Sequence, residues 1–426
     1  MDRYPAMFRV RQSFDASQVQ EIDHAVWEQM DRLKLGRFVR PGQTVAITAG
    51  SRGIANIAQI LRAAVQHLQR LGASPFLVPA MGSHGGATAE GQQELLASYG
   101  VTAEACGCPL RASMETVVLA EGAAGFPVHF DRHAAEADHV LVCGRVKPHT
   151  SFAGQYQSGL LKMMLIGLGK CAGASIYHRA ADAQGFDAIV EDITPQVLQR
   201  GKILAGLAII ENAYDQTAHI EGVLPVDFLT REPELLTIAR HRMPRLPFDQ
   251  VDLLILDQIG KDISGSGMDT NVVGRKRYDH EAAVDEVPKI KRILVRGLSP
   301  ASHGNGLGIG IAELCLERVV TGLDRRKMMI NAITSLHLTA AMIPLSFATD
   351  REAIQAALES VAGGDPDEAR VLWIRDTLHL QEVECSAAYW ESAQQHTQLE
   401  TLTKPRLLPF DDQGFLPRWM TDWPLD

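Results

Sequence analysis

The sequence predicts an α/β protein of two α/β domains with mainly parallel sheets, and the active site is expected in the cleft between the domains. Short β-branched runs alternate with amphipathic segments whose apolar residues recur every three or four positions. Glycine-rich loops join the two kinds of segment. The chain has 426 residues, which suits two or three domains of roughly 150 residues each. Because ligands of such sheets bind beyond the carboxyl ends of strands, the loops after strands are where reactive side chains are expected.

The composition narrows the class of protein. Charged residues make up 22% and hydrophobic residues 46% of the chain, which is globular composition and excludes a disordered or fibrous protein. The net charge of −10, without a basic block, argues against partners such as nucleic acid or a membrane. Six cysteines are too few for a disulfide scaffold, and the start of the chain lacks an apolar signal segment. We therefore expect a cytoplasmic protein whose partner is a small molecule, with its oligomeric state left open.

The first domain opens with a β-loop-α-β pattern. A strand is predicted over 43–48, an amphipathic helix over 54–71 and a second strand over 75–79. Gly72 stands where the helix should stop, and Thr88 is expected to cap the next helix. The pattern continues with further elements, namely a strand over 139–146, a loop over 147–157, an apolar helix over 158–169, a helix over 186–198 and a buried strand over 203–210.

A proline-bearing break at 240–249 marks the domain boundary, so the domains are predicted as 1–245 and 246–426. The second domain is predicted to contain a strand over 251–256, a strand over 293–295, a glycine-rich segment over 304–310, a helix from 311 to about 320 and an irregular tail beyond 401. The glycine-rich segment lacks the Gly-x-Gly-x-x-Gly spacing of a dinucleotide site. We favour a loop that closes the cleft.

Four side chains stand out on chemical grounds. His84 lies among three glycines after the second strand, and His149 follows Pro148 just beyond the strand over 139–146. Two histidines at equivalent strand ends suit acid–base work near neutral pH, although each alone is equally well a loop histidine. Lys162 is the one charged residue of an apolar segment, where it acts either as a reactive amine or as a snorkelling side chain. His178 follows a glycine-rich connection and is a possible metal ligand.

Taken in order, these residues resemble the nickel-dependent lactate racemase family. The resemblance rests on Gly82-Ser83-His84, on Pro148-His149 followed by Ala153-Gly154, on Lys162, and on His178 sixteen residues later. Beyond the domain boundary, Gln258 and Lys261 stand three apart after a strand, as in the family. The interval from His149 to Lys162 is longer than in the family, and Ala49 replaces an acidic residue. No tryptophan aligns with the aromatic residue that the family stacks near its cofactor. These departures indicate a divergent member whose substrate need not be lactate.

The resemblance implies a role for each matched residue. Lys162 would tether a nickel-pincer nucleotide, with Ser51 and Arg52 as further cofactor contacts, and His178 would bind the nickel. His84 and His149 would be the catalytic pair on opposite faces of the substrate carbon. Arg52, Gln258 and Lys261 would bind the substrate carboxylate. The first domain would thus carry the cofactor and the catalytic histidines, and the second would contribute substrate contacts.

The implied activity is racemisation or epimerisation of a small 2-hydroxy acid by reversible proton-coupled hydride transfer through a 2-oxo acid. Proteins that synthesise the cofactor would act upstream. Two alternatives stay open. One is a zinc-dependent hydrolase with His84, His149 and His178 as ligands, although the sequence has no tight His-Glu-x-x-His pair. The other is a non-catalytic protein that binds the nickel cofactor.

Overall fold

The computed structural model describes residues 4–51, 53–123, 125–361 and 365–425. The chain forms two compact units. The N-terminal unit is Asp15–Met243, and the C-terminal unit combines residues up to Phe14 with those from Pro244 onward. Arg52, a predicted cofactor and substrate contact, lies outside the described residues.

The strands of the described residues are β1 (Met7–Gln12), β2 (Thr44–Ala49), β3 (Ser74–Pro79), β4 (Thr116–Glu121), β5 (Pro127–Asp131), β6 (His139–Arg145), β7 (Ile203–Glu211), β8 (Thr217–Val223), β9 (Gln250–Leu256), β10 (Lys289–Val295), β11 (Leu314–Leu316), β12 (Leu345–Phe347), β13 (Val371–Ile374), β14 (Glu382–Ser386) and β15 (Leu399–Thr401).

The α-helices are α1 (Ile22–Arg32), α2 (Ile57–Arg70), α3 (Ala89–Ser98), α4 (Ala103–Cys106), α5 (Arg132–Glu136), α6 (Leu160–Lys162), α7 (Lys170–Gln184), α8 (Phe186–Arg200), α9 (Phe228–Arg242), α10 (Thr270–Val273), α11 (Glu317–Thr321), α12 (Arg325–Ser335), α13 (Asp350–Ser360) and α14 (Trp390–Gln395).

The N-terminal unit is built on a sheet in the order β3-β2-β6-β7-β8. Strands β3, β2, β6 and β7 run parallel, and β8 pairs antiparallel with β7. Both faces are covered: in β6, Val140 and Val142 enter one core, whereas Leu141 and Cys143 enter the other. The strands predicted over 43–48, 75–79, 139–146 and 203–210 are confirmed as β2, β3, β6 and β7. Strands apolar on both faces are typical of parallel sheets covered by helices.

Capping residues set the ends of the first helices as predicted. Helix α2 is confirmed, and Gly72 after it has a φ of +81°, which glycine adopts without strain. The Thr88 hydroxyl accepts a hydrogen bond of 3.0 Å from the Gly91 amide and caps α3. The predicted helix over 186–198 is confirmed as α8.

The prediction of a single apolar helix over 158–169 is wrong, because the segment is divided into two helical pieces. The chain forms the short helix α6, which ends at Lys162, and continues as a π-helical turn, Met163–Gly167. Helix α7 then begins at Lys170, whose φ is +53°. A π-turn inserts an extra residue into the helical repeat, and such turns are frequent at functional sites. Here the turn separates Lys162 from the helix that carries His178.

The C-terminal unit contains an eight-stranded sheet among the described residues, in the order β12-β11-β10-β9-β13-β14-β1-β15. Strands β12, β11, β10, β9 and β13 run parallel, while β14, β1 and β15 extend the sheet by antiparallel pairing. The fold class, α/β with mainly parallel sheets, is confirmed. The N-terminal strand β1 crosses to this sheet, which the sequence pattern does not indicate.

The helix predicted from 311 to about 320 is wrong. Residues Leu314–Leu316 form the buried strand β11 between β10 and β12, and only Glu317–Thr321 is helical. A short apolar run does not distinguish a buried strand from a helix, and pairing with two neighbours decides the outcome.

No single helix of the described residues combines the length and apolarity needed to cross a membrane. Leu160–Gly167 and Lys170–Ala181 meet the criterion only as a pair, and they are bent by 113°.

A buried ion pair holds the start of α7. The Lys170 Nζ lies 2.9 Å from Asp131 Oδ2, and both side chains are fully buried. The ammonium also donates to the Pro79 carbonyl at the end of β3 and lies 3.5 Å from Gln92 Oε1. Burial lowers the pKa of Lys170, while the Asp131 carboxylate opposes that shift. The pair therefore joins α7 to both β3 and β5.

We expect Lys170→Met to destabilise the protein strongly, by about 3–5 kcal/mol, because it leaves the Asp131 carboxylate buried without a counter-charge. Adding Asp131→Asn should recover part of the loss, since asparagine keeps an oxygen for the Ala134 amide that Asp131 now caps. Urea unfolding of the single and double variants measures both effects. Equal stability of Lys170→Met and wild type would contradict the prediction.

A second buried carboxyl holds the start of α6. Glu232, on α9, accepts a hydrogen bond of 2.9 Å from the Leu161 amide. Burial raises its pKa to about 8, although the amides of Leu161 and Leu160 act in the opposite direction. Gly159 leaves room for this carboxyl, because a Cβ there would lie 2.6 Å from Glu232 Oε1. Glu232 therefore anchors the segment that presents Lys162.

Folding raises the pKa of Glu232 from 4.5 to about 8. Between pH 4.5 and pH 8, the carboxyl is therefore protonated in the folded protein and ionised in the unfolded protein. The stability that it contributes is complete below pH 4.5 and is lost as the pH rises through 8. We expect the stability of wild type relative to Glu232→Gln to fall between pH 5 and pH 8, by at most about 1.4 kcal/mol per pH unit. Urea unfolding of both proteins at three pH values measures this, and parallel curves would refute it.

Candidate active site

Three loops of the N-terminal unit leave adjacent parallel strands at the same edge of the sheet. Ser51 follows β2, His84 follows β3 and His149 follows β6, and β2 lies between the other two strands. The carboxyl ends of parallel strands share one edge, so the order of the sheet brings these loops together. The remaining predicted residues of this unit, Lys162 and His178, lie on the segments that follow the His149 loop.

His84 is exposed and is oriented by its own loop. Its Nδ1 lies 2.8 Å from the Met81 carbonyl oxygen. Because a carbonyl only accepts, Nδ1 carries the hydrogen, and in the neutral ring the lone pair is on Nε2. Gln92, which is fully buried, donates to the Gly82 carbonyl at 3.0 Å and to the His84 carbonyl at 3.3 Å. The loop is thereby fixed with Nε2 as the basic atom.

His149 is held in the opposite tautomer. Its Nδ1 accepts hydrogen bonds from the backbone amides of Ser151, at 3.0 Å, and Phe152, at 2.9 Å. The neutral ring therefore carries its hydrogen on Nε2. The His149 amide donates to Gln157 Oε1 at 2.8 Å. His84 is thus set to accept a proton at Nε2, whereas His149 is set to donate a hydrogen bond there.

An aromatic side chain connects His149 to Lys162 and His178. The Phe152 ring stacks on His149 with centroids 4.2 Å apart and lies 5.6 Å from the ring of His178. The Lys162 Nζ lies 5.4 Å from the centroid of the same ring. On its other side Phe152 stacks on the buried Phe186 at 4.3 Å. One phenyl ring therefore contacts three of the predicted site residues.

The surroundings of His178 keep it neutral. Burial, with smaller contributions from the nearby Lys162 and His84, lowers its pKa to about 4. At neutral pH the ring therefore has a lone pair available for a metal ion. The same effects show that His84, Lys162 and His178 share one electrostatic environment.

The Ser51 loop lies against the π-turn. The Ser51 carbonyl accepts a hydrogen bond of 3.0 Å from the Tyr99 hydroxyl. A Cβ on the neighbouring Gly50 would lie 2.8 Å from the Met163 Cε, so the loop packs against the residue that follows Lys162. The backbone at Ser51 therefore lies close to the segment that follows Lys162, and these contacts do not involve the Ser51 side chain.

Gln258 and Lys261 lie in the C-terminal unit, in the loop after β9. Gln258 is buried and donates to Asp376 Oδ2 at 2.9 Å. The Lys261 ammonium donates to the Gly265 carbonyl. Gly308 of the glycine-rich segment packs directly against the Ser266 carbonyl, where a side chain has no room, so this segment covers the Lys261 loop.

Residues other than those predicted shape the site. Phe152 and Phe186 supply the aromatic surface, while the Asp187 carboxylate accepts the amides of Gln155, at 3.0 Å, and Tyr156, at 3.1 Å. Phe152 lies only three residues after His149, but nothing in the sequence distinguishes its ring from that of a core phenylalanine.

The zinc alternative requires three ligands at one point. Among the described residues, no group of three or more His, Cys, Asp or Glu side chains is arranged to hold a metal ion. The His149 Nδ1 lone pair is directed at its own loop amides.

Comparisons with known proteins agree with this fold. Residues 7–185 match the family model of the lactate racemase N-terminal domain. The structure is similar to that of the lactate racemase apoprotein from Thermoanaerobacterium thermosaccharolyticum, with a TM-score of 0.51 and 12% sequence identity over 86% of this chain and 100% of that chain. At this identity the likeness shows the fold alone. No curated protein sequence matches the chain.

The matched region includes the loops of Ser51, His84 and His149 and the segment from Lys162 to His178. It ends before Gln258 and Lys261. Residues 7–185 of the chain are therefore similar to the lactate racemase N-terminal domain.

Proposed function

We propose that this protein is a cytoplasmic racemase or epimerase of a small 2-hydroxy acid that uses a nickel-pincer nucleotide. The observation that carries the proposal is the cluster in which one phenyl ring, Phe152, contacts His149, Lys162 and His178, with His84 close enough to influence His178. Acid–base groups, an amine and a neutral imidazole thus occur together.

The residues present fit such a cofactor. Lys162 offers an amine for a covalent or ionic tether, and its helix is fixed by Glu232. His178, whose pKa of about 4 keeps it neutral, is suited to bind a borderline-soft divalent metal. Phe152 offers a flat apolar surface beside both. When bound, the cofactor supplies a reversible hydride acceptor at C2 of the substrate, which passes through its 2-oxo acid.

The two histidines handle the proton that accompanies the hydride. His84 takes the hydroxyl proton at Nε2, while the His149 Nε2–H donates a hydrogen bond to the substrate oxygen. For the opposite enantiomer the roles exchange, and His149 must then receive a proton at Nε2. That exchange requires its hydrogen to move to Nδ1 and the amides of Ser151 and Phe152 to release the ring. Arg52, Gln258 and Lys261 remain the proposed carboxylate contacts.

We expect His84→Gln and His149→Gln each to lower racemisation in both directions by about 10²-fold or more, because each enantiomer needs one proton acceptor and one donor. His139→Gln is the matched control, since His139 begins β6 at the end opposite to His149. Chiral chromatography of a panel of 2-hydroxy acids measures the rates. If the His84 and His149 variants bind the cofactor and their racemisation rates equal that of the control, the result would favour the non-catalytic alternative.

Mass and metal content separate the roles of Lys162 and His178. In protein from a host that makes the cofactor, we expect intact mass to show a cofactor increment that Lys162→Arg abolishes and Lys147→Arg retains. His178→Gln should keep the increment but lose most of the nickel, because it removes the metal ligand and leaves the amine. Unmodified protein containing stoichiometric zinc would instead support the hydrolase alternative.

A further inference from the structure

The C-terminal unit has a polar cluster at the point where its strand order reverses. From β9 the chain adds β10, β11 and β12 on one side and then returns to place β13 on the other side of β9. Strands β9 and β13 are parallel, and Leu256 pairs with Ile374 at their carboxyl ends. In open α/β sheets the crevice beyond two such strands is the usual place for a ligand.

One buried carboxylate organises the side chains at this crevice. Asp376, two residues beyond the end of β13, is fully buried. Its Oδ2 accepts Gln258 Nε2 at 2.9 Å, and its Oδ1 lies 2.7 Å from His379 Nδ1. The same Oδ1 accepts the amides of Leu378 and His379, both at 3.0 Å. Arg375 Nε is 3.7 Å from Oδ2.

These hydrogen bonds hold Asp376 ionised. Burial raises its pKa, but the hydrogen bonds from His379 and Gln258 outweigh burial and lower the pKa below its ordinary value. An ionised carboxylate only accepts, so His379 Nδ1 carries a hydrogen and the ring presents Nε2 away from Asp376. The His379 side chain is 52% exposed although its partner is buried, so its ring is accessible from solvent beyond the carboxyl ends of β9 and β13.

A carboxylate-backed imidazole is suited to an anionic ligand. When the ring is protonated, the charge is shared with Asp376 behind it, and the Nε2–H donates to the ligand in a charge-assisted hydrogen bond. Gln258, held by the same carboxylate, is fixed beside it. The arrangement differs from a surface ion pair, because the carboxylate is desolvated and its remaining bonds restrict both side chains.

We propose that His379, positioned by Asp376 beside Gln258, binds the carboxylate of a small 2-hydroxy acid. The identity of the ligand rests on the proposed function. A ligand-binding role for His379 does not depend on that function. It is supported by the buried carboxylate behind the imidazole and by the position of both groups at the reversal of strand order. Asp376 is a positioning residue, since it acts through His379 and Gln258.

The test uses full-length protein from a cofactor-producing host, labelled with ¹³C and ¹⁵N in histidine, and His379→Gln assigns the ring signals. Glycolate is the probe, because it is the simplest 2-hydroxy acid and is achiral. Glycolamide keeps the hydroxyl group but lacks the carboxylate. We expect glycolate, and not glycolamide, to shift the His379 Nε2 resonance, and we expect His379→Gln to weaken glycolate binding about tenfold or more.

His337→Gln is the matched control, since His337 also pairs with an aspartate of this unit, Asp279, at 2.7 Å, but follows neither β9 nor β13. It should bind glycolate like wild type. Asp376→Asn keeps His379 but removes the charge behind it. This variant should bind glycolate more weakly than wild type and should show a changed His379 ring resonance. Equal glycolate binding by His379→Gln and wild type, or an equal response to glycolamide, would overturn the inference.

The two proposals fail separately. If glycolate shifts the His379 resonance but the protein racemises no hydroxy acid, the inferred binding site stands and only the racemase proposal is rejected. Normal racemisation with unchanged kcat and KM in His379→Gln would reject only the role of His379.

Discussion

The buried ammonium of Lys170 is the interaction on which the geometry of the N-terminal site depends. It joins three parts of the chain that are far apart in sequence: the Asp131 carboxylate at the end of β5, the carbonyl at the end of β3, and the Gln92 amide of α3. Gln92 in turn holds the loop of His84, and Lys170 itself begins the helix that carries His178. The buried Lys170 thus connects the loop of His84, through Gln92, with the start of the helix that carries His178. Its replacement would disturb both.

Burial shifts the pKa values of His178 and Glu232 in the N-terminal unit. Burial, with a further contribution from Lys162, lowers the pKa of His178 and keeps its ring neutral, and burial raises the pKa of Glu232 so that it stays protonated near neutral pH. In the neutral form of His84 and of His149, backbone groups of the residue's own loop select the tautomer. These backbone groups therefore determine which nitrogen of each ring is engaged within its own loop.

Much of the fold was predictable from local patterns, and the exceptions have physical causes. Strand β6 and helix α2 follow from apolar periodicity because each packs on a continuous core. The π-turn after Lys162 and the short strand β11 were missed, since both result from contacts with distant segments rather than from their own residues. His84, His149, Lys162 and His178 were singled out by composition and spacing. Phe152, Lys170 and Asp376 were not, because an ordinary phenylalanine, lysine or aspartate reveals its role only through its neighbours in space.

The crossing of β1 into the C-terminal sheet bears on how the chain is made. Arg9 bonds to Glu384 across 375 positions of sequence, and the Arg9 guanidinium also donates to the carbonyls of Met420 and Trp423. On the ribosome, the first strand must wait for its partner for roughly 20 to 75 s at about 5–20 residues per second. Asp15–Met243 is complete long before then. The segment that becomes β1, which pairs with both β14 and β15 in the finished sheet, therefore stays unpaired until the end of the chain is made.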